Sequence, residues 1–288
     1  FKHDVSPFPE LVAEYYQIKK CESNHRNRLP SVTIYCMKDI EKALQLASTG
    51  NEEELRLLVH HPSPKVISRL LLNENLTEEL AIIIANRKNL SNEILEKLYH
   101  DIRWKESYRI MLALCKNRKT PQKISFTIIK SLRVLDLADI TRNQHVPINV
   151  RIRVEAAINE KILPMPLGIK KTLARKASSN VLMKLIEDGM RDVVSICLDS
   201  PNLTEGDMYK VISMKRTPSH VIQQIAHHPK WSCRNQIQWA LVLNNYTPLS
   251  CVVNFLKKMK TTDLKELYAA PEVPSSTKPF IHRELLER

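Results

Sequence analysis

Glycine is nearly missing from this chain: 288 residues contain four. Tight β-turns and phosphate-cradling loops depend on glycine's left-handed backbone, so a β-sandwich, a P-loop or a dinucleotide-binding fold is disfavoured. Paired cysteines are missing as well. Cys21, Cys36, Cys115, Cys197, Cys233 and Cys251 are scattered without a CxxC. Cys115, Cys197 and Cys251 fall inside apolar helical runs, where a free thiol serves as a small core residue. This usage predicts a reducing, cytoplasmic setting. No apolar stretch is long enough to span a bilayer, so no membrane span is expected. Acidic residues are also short, 31 against 44 Lys and Arg, leaving a net charge of +13. A balance of that sign favours anionic partners or surfaces.

What is present is a pattern repeated at one spacing, the interval from Trp104 to Trp231. The same shift places Asn117 on Asn244, Thr120-Pro121 on Thr247-Pro248 and Asp136-Leu137 on Asp263-Leu264. It also places Leu46-Ala47 on Leu173-Ala174 and Asn75-Leu76-Thr77-Glu78 on Asn202-Leu203-Thr204-Glu205. Repetition without a gap marks a repeat architecture, whose function lies in an extended surface. The 16 prolines stand between apolar runs, as helix starts do. Shorter units of roughly 25–31 residues, one helical hairpin each, subdivide both copies.

Turn signals recur ahead of the second helix of a unit, in Asn117…Thr120-Pro121, Asn143…Val146-Pro147 and Asn244…Thr247-Pro248. Asn tolerates the left-handed backbone that ends a helix. Ser or Thr is expected to accept a bond from the next helix's free N–H, with Pro at the first helical position. Apolar residues then follow at helical spacing, as in Ile94, Leu95, Leu98 and Val221, Ile222, Ile225. The expected fold is all-α: a right-handed α-solenoid of about eight helical hairpins, in two tandem copies of four. Residues 1–38 form an irregular or short-helical lead-in, residues 39–161 the first block, and residues 162–288 a second block continuous with it. The Pro164-Met165-Pro166 junction, flanked by Ile and Leu, is expected to be packed.

The segments NRKTPQKI and NNYTPLSC resemble HEAT-like repeats and the bacterial leucine-rich-repeat variant, a likeness that covers about residues 39–288. The resemblance implies an α-solenoid. The leucine-rich-repeat variant is associated with a cysteine-bound iron–sulfur cluster, but Cys21 and Cys36 lack cluster spacing, and that feature does not carry over. A further HEAT-like group, the alkylpurine DNA glycosylases, grips DNA in a basic groove, and no local signature here matches its catalytic residues.

Basic residues fall at one place in successive units, where the first helix ends: Arg87, Lys88, Lys116, Arg118, Lys119, Arg142, Arg175, Lys176, Lys215 and Arg216. Stacking would align them as a ridge, a track for an anionic polymer or surface. Complementing the helix macrodipole explains the same placement without a partner. Trp104 and Trp231, at equivalent points, read as packing residues. His60-His61 and His227-His228 are poor co-ligands, because adjacent helical residues diverge by about 100°. Asp136, Asp263, Glu78 and Glu205 read as first-turn acids that complement the helix dipole. No nucleophile elbow, HExxH or glycine-rich phosphate loop is present, so neither catalysis nor a metal or cofactor is expected. The expected function is a non-catalytic scaffold for a protein partner, with nucleic-acid binding as the alternative.

Overall fold

The computed structural model describes residues 40–288. The lead-in expected over residues 1–38, with Cys21, Cys36 and His25, lies outside the described residues. Among the described residues every regular element is helical. They divide into two compact units, one of residues 40–132 and 144–150, the other of residues 133–143 and 151–288. This division follows packing, whereas the sequence boundary at 161/162 is set at the proline-containing junction that opens at Ile162.

The first unit contains α1 (Ile40–Thr49), α2 (Glu52–Leu58), α3 (Pro64–Leu70), α4 (Glu78–Ala85), α5 (Asn92–His100), a 3-10 turn (Ile102–Trp104), α6 (Tyr108–Lys116) and α7 (Gln122–Ser131). The second contains α8 (Val134–Arg142), α10 (Leu167–Lys176), α11 (Ser179–Asp188), α12 (Arg191–Asp199), α13 (Glu205–Ser213), α14 (Ser219–His227), α15 (Pro229–Ser232), α16 (Asn235–Val242), α17 (Leu249–Leu256), α18 (Thr261–Ala269) and α19 (Lys278–Leu286). Helix α9 (Ile148–Lys161) contributes residues to both. The count exceeds what about eight hairpins would supply. Pro64 and Pro229 open their helices and Pro279 takes the second position of α19, where the missing N–H costs no intrahelical hydrogen bond.

Most helices bury an i, i+3, i+4 stripe. In α5 it is Ile94, Leu95 and Leu98, and in α14 it is Val221, Ile222, Ile225 and Ala226. Burial of one such side chain is worth about 1.5–3 kcal/mol. Contacts join helices close in sequence. In the first unit α1 packs on α3, α4 on α6 and α6 on α7; in the second α10 packs on α12, α11 on α13, α13 on α16 and α18 on α19. At the junction Ile162 and Met165 are buried, whereas Leu163 is 77% exposed.

The helix bounds recur at the sequence spacing. Shifted by the interval from Trp104 to Trp231, α1 coincides with α10, α5 with α14 and α8 with α18, both ends included. Polar ties recur with them. Asn75 Nδ2 donates to the Gly50 carbonyl at 3.1 Å and Asn202 Nδ2 to the Ala177 carbonyl at 3.0 Å. Asn117 Nδ2 donates to the Ala85 carbonyl at 2.6 Å, Asn244 Nδ2 to the Ile212 carbonyl at 2.8 Å. The carbonyls served lie at or just beyond helix C-termini, where no intrahelical partner exists. Asn117 and Asn244 also accept, through Oδ1, from the N–H two residues on, which shapes the turn.

The Thr-Pro signal acts in the direction opposite to expectation. Thr120, Thr217 and Thr247 donate backward, each at 2.6 Å, to the carbonyls of Leu114, Val211 and Leu241. Pro121, Pro218 and Pro248 themselves occupy the N-cap, without a side-chain cap bond. Forward capping does occur at Thr204, which forms a reciprocal box with Asp207, and Asn51 does the same with Glu54.

Candidate functional site

The basic positions divide by what they touch. Arg118-Lys119 and Lys215-Arg216 each hold the two central positions of a turn, closed by Thr120 N–H to the Asn117 carbonyl (3.2 Å) and Thr217 N–H to the Met214 carbonyl (3.1 Å). Lys116, Arg142, Arg175 and Lys176 lie in the last turn of their helices, where a cation complements the carbonyl end. Lys88, Arg118, Lys119, Arg142, Arg175 and Lys215 are exposed and form no ion pair or side-chain hydrogen bond with another described residue.

The remaining positions are engaged or partly covered. Arg87 is half-buried, and its guanidinium donates to the Val59 carbonyl at 2.6 Å and the His61 carbonyl at 2.9 Å. Burial pulls its pKa below the usual arginine value. This side chain ties two segments of the first unit together. Arg216 pairs with Glu187 at 3.1 Å, Lys176 with Asp139 at 3.7 Å, and Lys116 is half-buried. The ten positions are therefore not equivalent, and sequence reasoning had no signal that separates them, since each partner lies in another segment.

Trp104 and Trp231 are both buried, 9% and 1% exposed. Each lies beside the preceding cation: Arg103 is 5.3 Å from one ring centroid and Lys230 is 4.5 Å from the other. In the first unit the Arg103 guanidinium donates to the carbonyls of Leu71 and Asn73, leaving Trp104 Nε1 without a partner. In the second, Lys230 donates only to the Ser200 carbonyl, and Trp231 Nε1 takes the Leu198 carbonyl at 2.9 Å. Ser200 and Leu198 are the repeat counterparts of Asn73 and Leu71, so one pair of acceptors is shared out differently.

The first-turn acids also keep matching neighbours. Glu78 accepts from the Ser107 hydroxyl and Glu205 pairs with Arg234 at 3.1 Å, Ser107 and Arg234 being repeat counterparts. Asp136 and Asp263 stand in the first turns of α8 and α18. His227 and His228 diverge: His227 contacts the Gln223 carbonyl through Nδ1 (2.8 Å) and Cys251 Sγ through Nε2 (3.4 Å), while His228 faces Asp199 at 3.2 Å. Among the described residues no group of three or more His, Cys, Asp or Glu is arranged to hold a metal ion. Burial pushes the Cys115 and Cys197 thiols up to about 12, which keeps them protonated near neutral pH.

Two features of the second unit depart from the repeat. No sequence signal marks the first, and the exchange of Leu112 for Trp239 in the second reads as a core swap, whereas Trp239 is half-exposed. Lys170 is 1% exposed, and its Nζ lies 2.7 Å from Asp188 Oδ2. The equivalent positions of the first copy hold Ala43 and His61. Tyr209 and Trp239 stand where the first unit has Ile82 and Leu112, and they line a cleft of about 510 Å³. Among the described residues no helix is long and apolar enough to cross a membrane. No protein family, curated protein or solved structure matches the chain.

Proposed function

We propose that the chain is a HEAT-like right-handed α-solenoid, made of two tandem copies of one helical array, and that it serves as a non-catalytic scaffold for a protein partner. The recurrence of helix bounds and of Asn and Thr ties at one spacing supports the duplication. The observation that carries the binding assignment is the set of exposed, unneutralised cations at helix ends and turn tips. Helix-end charge accounts for Arg142 and Arg175. It does not account for Arg118, Lys119 and Lys215, which lie beyond the helices. The partner is bound through the solenoid's concave face and this basic edge, in a reducing compartment.

The net charge of +13 favours a second reading, in which the anionic partner is nucleic acid. One set of variants separates them. With Arg118, Lys119, Lys215 and Lys88 each changed to Glu, a partner recovered from native extract with the wild-type chain is expected to be lost, while nuclease treatment of the extract changes nothing. Saturable binding to duplex DNA or single-stranded RNA, with affinity falling steeply as salt rises, would instead establish the nucleic-acid reading. Unchanged recovery by the charge-reversed chain removes the basic edge from either.

A further inference from the structure

The second unit has a cleft of about 510 Å³ lined by Gly206 and Tyr209 of α13, Asn235, Gln236 and Trp239 of α16, and Asp263 of α18. Every lining position except Asp263 differs from its repeat counterpart. The first unit has Glu79, Ile82, Tyr108, Arg109 and Leu112 at those points. Two aliphatic side chains thus become aromatic, a cation and a tyrosine become amides, and a long acid becomes glycine. The carboxylate at the sixth position is kept.

Gly206 has no backbone reason to be glycine. A Cβ built there meets only Thr204 Oγ1, at 3.9 Å, so a side chain fits the local structure. Gly is a poor helix former, and its presence inside α13 leaves space open. The polar groups around that space are unused. The side chains of Tyr209, Asn235, Gln236 and Trp239 form no hydrogen bond with another described residue. Asp263 is half-buried, accepts only from the neighbouring Thr262 hydroxyl at 3.2 Å, and has no ion-pair partner among the described residues, in a chain of net charge +13.

Two aromatic side chains, an unpaired carboxylate and the absence of a competing cation together select a cation with apolar substituents. The electron-rich faces of Trp and Tyr attract such an ion, and the carboxylate balances its charge. A fully alkylated ammonium needs no hydrogen-bond acceptor and presents apolar, positively polarised methyl groups to the two rings. We propose that this cleft is a binding site for a quaternary alkylammonium group, carried either by a methylated lysine or by a choline-type compound. This does not depend on whether the basic turns engage a partner.

Trp104 and Trp231 are buried while Trp239 is half-exposed, so a change in indole fluorescence on ligand binding reports the cleft. Titration of the full chain with tetramethylammonium is expected to give a saturable change. Neopentyl alcohol, a neutral isostere, is expected to bind about tenfold more weakly or worse. Nε-trimethyllysine and phosphocholine are then compared; binding of either supports the site and assigns its source. Trp239→Leu and Tyr209→Ile insert residues that the first unit already packs at these positions, and each is expected to weaken binding about tenfold, as is Asp263→Asn. Because Trp239→Leu removes the reporter, its binding is read by calorimetry. No saturable signal from the wild-type chain, or equal affinity for cation and neutral isostere, overturns the proposal without reference to any variant.

Discussion

Lys170 shows how a single residue departs from its repeat. At its position the first unit has Ala43, packed in α1 beside Leu46 and Ala47. In the second unit a lysine enters the equivalent stripe of α10, and Asp188 at the end of α11 meets it at 2.7 Å. A buried ion pair costs about as much in desolvation as it returns in attraction, but an orphaned member is far worse. Asp188→Ala is therefore expected to lower unfolding free energy by about 3–5 kcal/mol in urea titration, and adding Lys170→Met to recover most of it. A single Asp188→Ala variant within about 1 kcal/mol of wild type would show that water already solvates Lys170. The sequence GIKKTLARK reads as a charged surface helix, because nothing local distinguishes Lys170 from Lys171. The trio Trp104, Trp231 and Arg103 teaches the same lesson: sequence marks both rings as repeated, yet which donor takes which carbonyl depends on the reach of Arg against Lys.

Short helices leave many terminal carbonyls to satisfy, and the loop asparagines satisfy them across the gap to an earlier helix. Asn117 is one such case, 8% exposed, donating to two carbonyls while its Oδ1 accepts from the Lys119 N–H, as Asn73 does with the Ala47 and Gly50 carbonyls and the Asn75 N–H. Asn117→Ala strands those carbonyls and is expected to cost about 1–3 kcal/mol in denaturant unfolding. Asn117→Asp is expected to recover none of that loss, since a carboxylate cannot donate and would face two carbonyl oxygens. An aspartate variant as stable as wild type would mean that the turn bond at Lys119, not the cross-helix bonds, is what matters. At this scale the sequence was informative about place and uninformative about direction. Asn, Thr and Pro marked the turns, but the Thr hydroxyls donate backward, because proline already occupies the cap position that a forward bond would require.

Across the whole chain 44 basic side chains face 31 acidic ones, and six of the basic positions singled out above lie exposed without a partner among the described residues. Such an excess repels itself in the folded state, and salt screens it with a Debye length of about 10 Å at 0.1 M. Raising sodium chloride from about 20 mM to about 300 mM is expected to lift the thermal midpoint by about 2–4 °C, the shift that about 1 kcal/mol gives at this length. A midpoint that falls with salt would indicate that attractive pairs such as Arg216–Glu187 outweigh the repulsion. The same unneutralised cations are what the proposed scaffold offers an acidic partner, so any gain in binding trades against this repulsion.

The sequence by itself determined the helical class, the positions of the turns and the recurrence of helix bounds at one spacing, because apolar period, Asn and Thr-Pro act over a few residues and are written in order. Only the tertiary structure decided that Arg87 is a cross-tie while Arg118 is exposed, that Lys170 is buried, and that Gly206, Tyr209, Trp239 and Asp263 face one cleft. Those outcomes depend on side chains from helices about 18–60 residues apart, and a distance across packed helices is a property of no single stretch of chain.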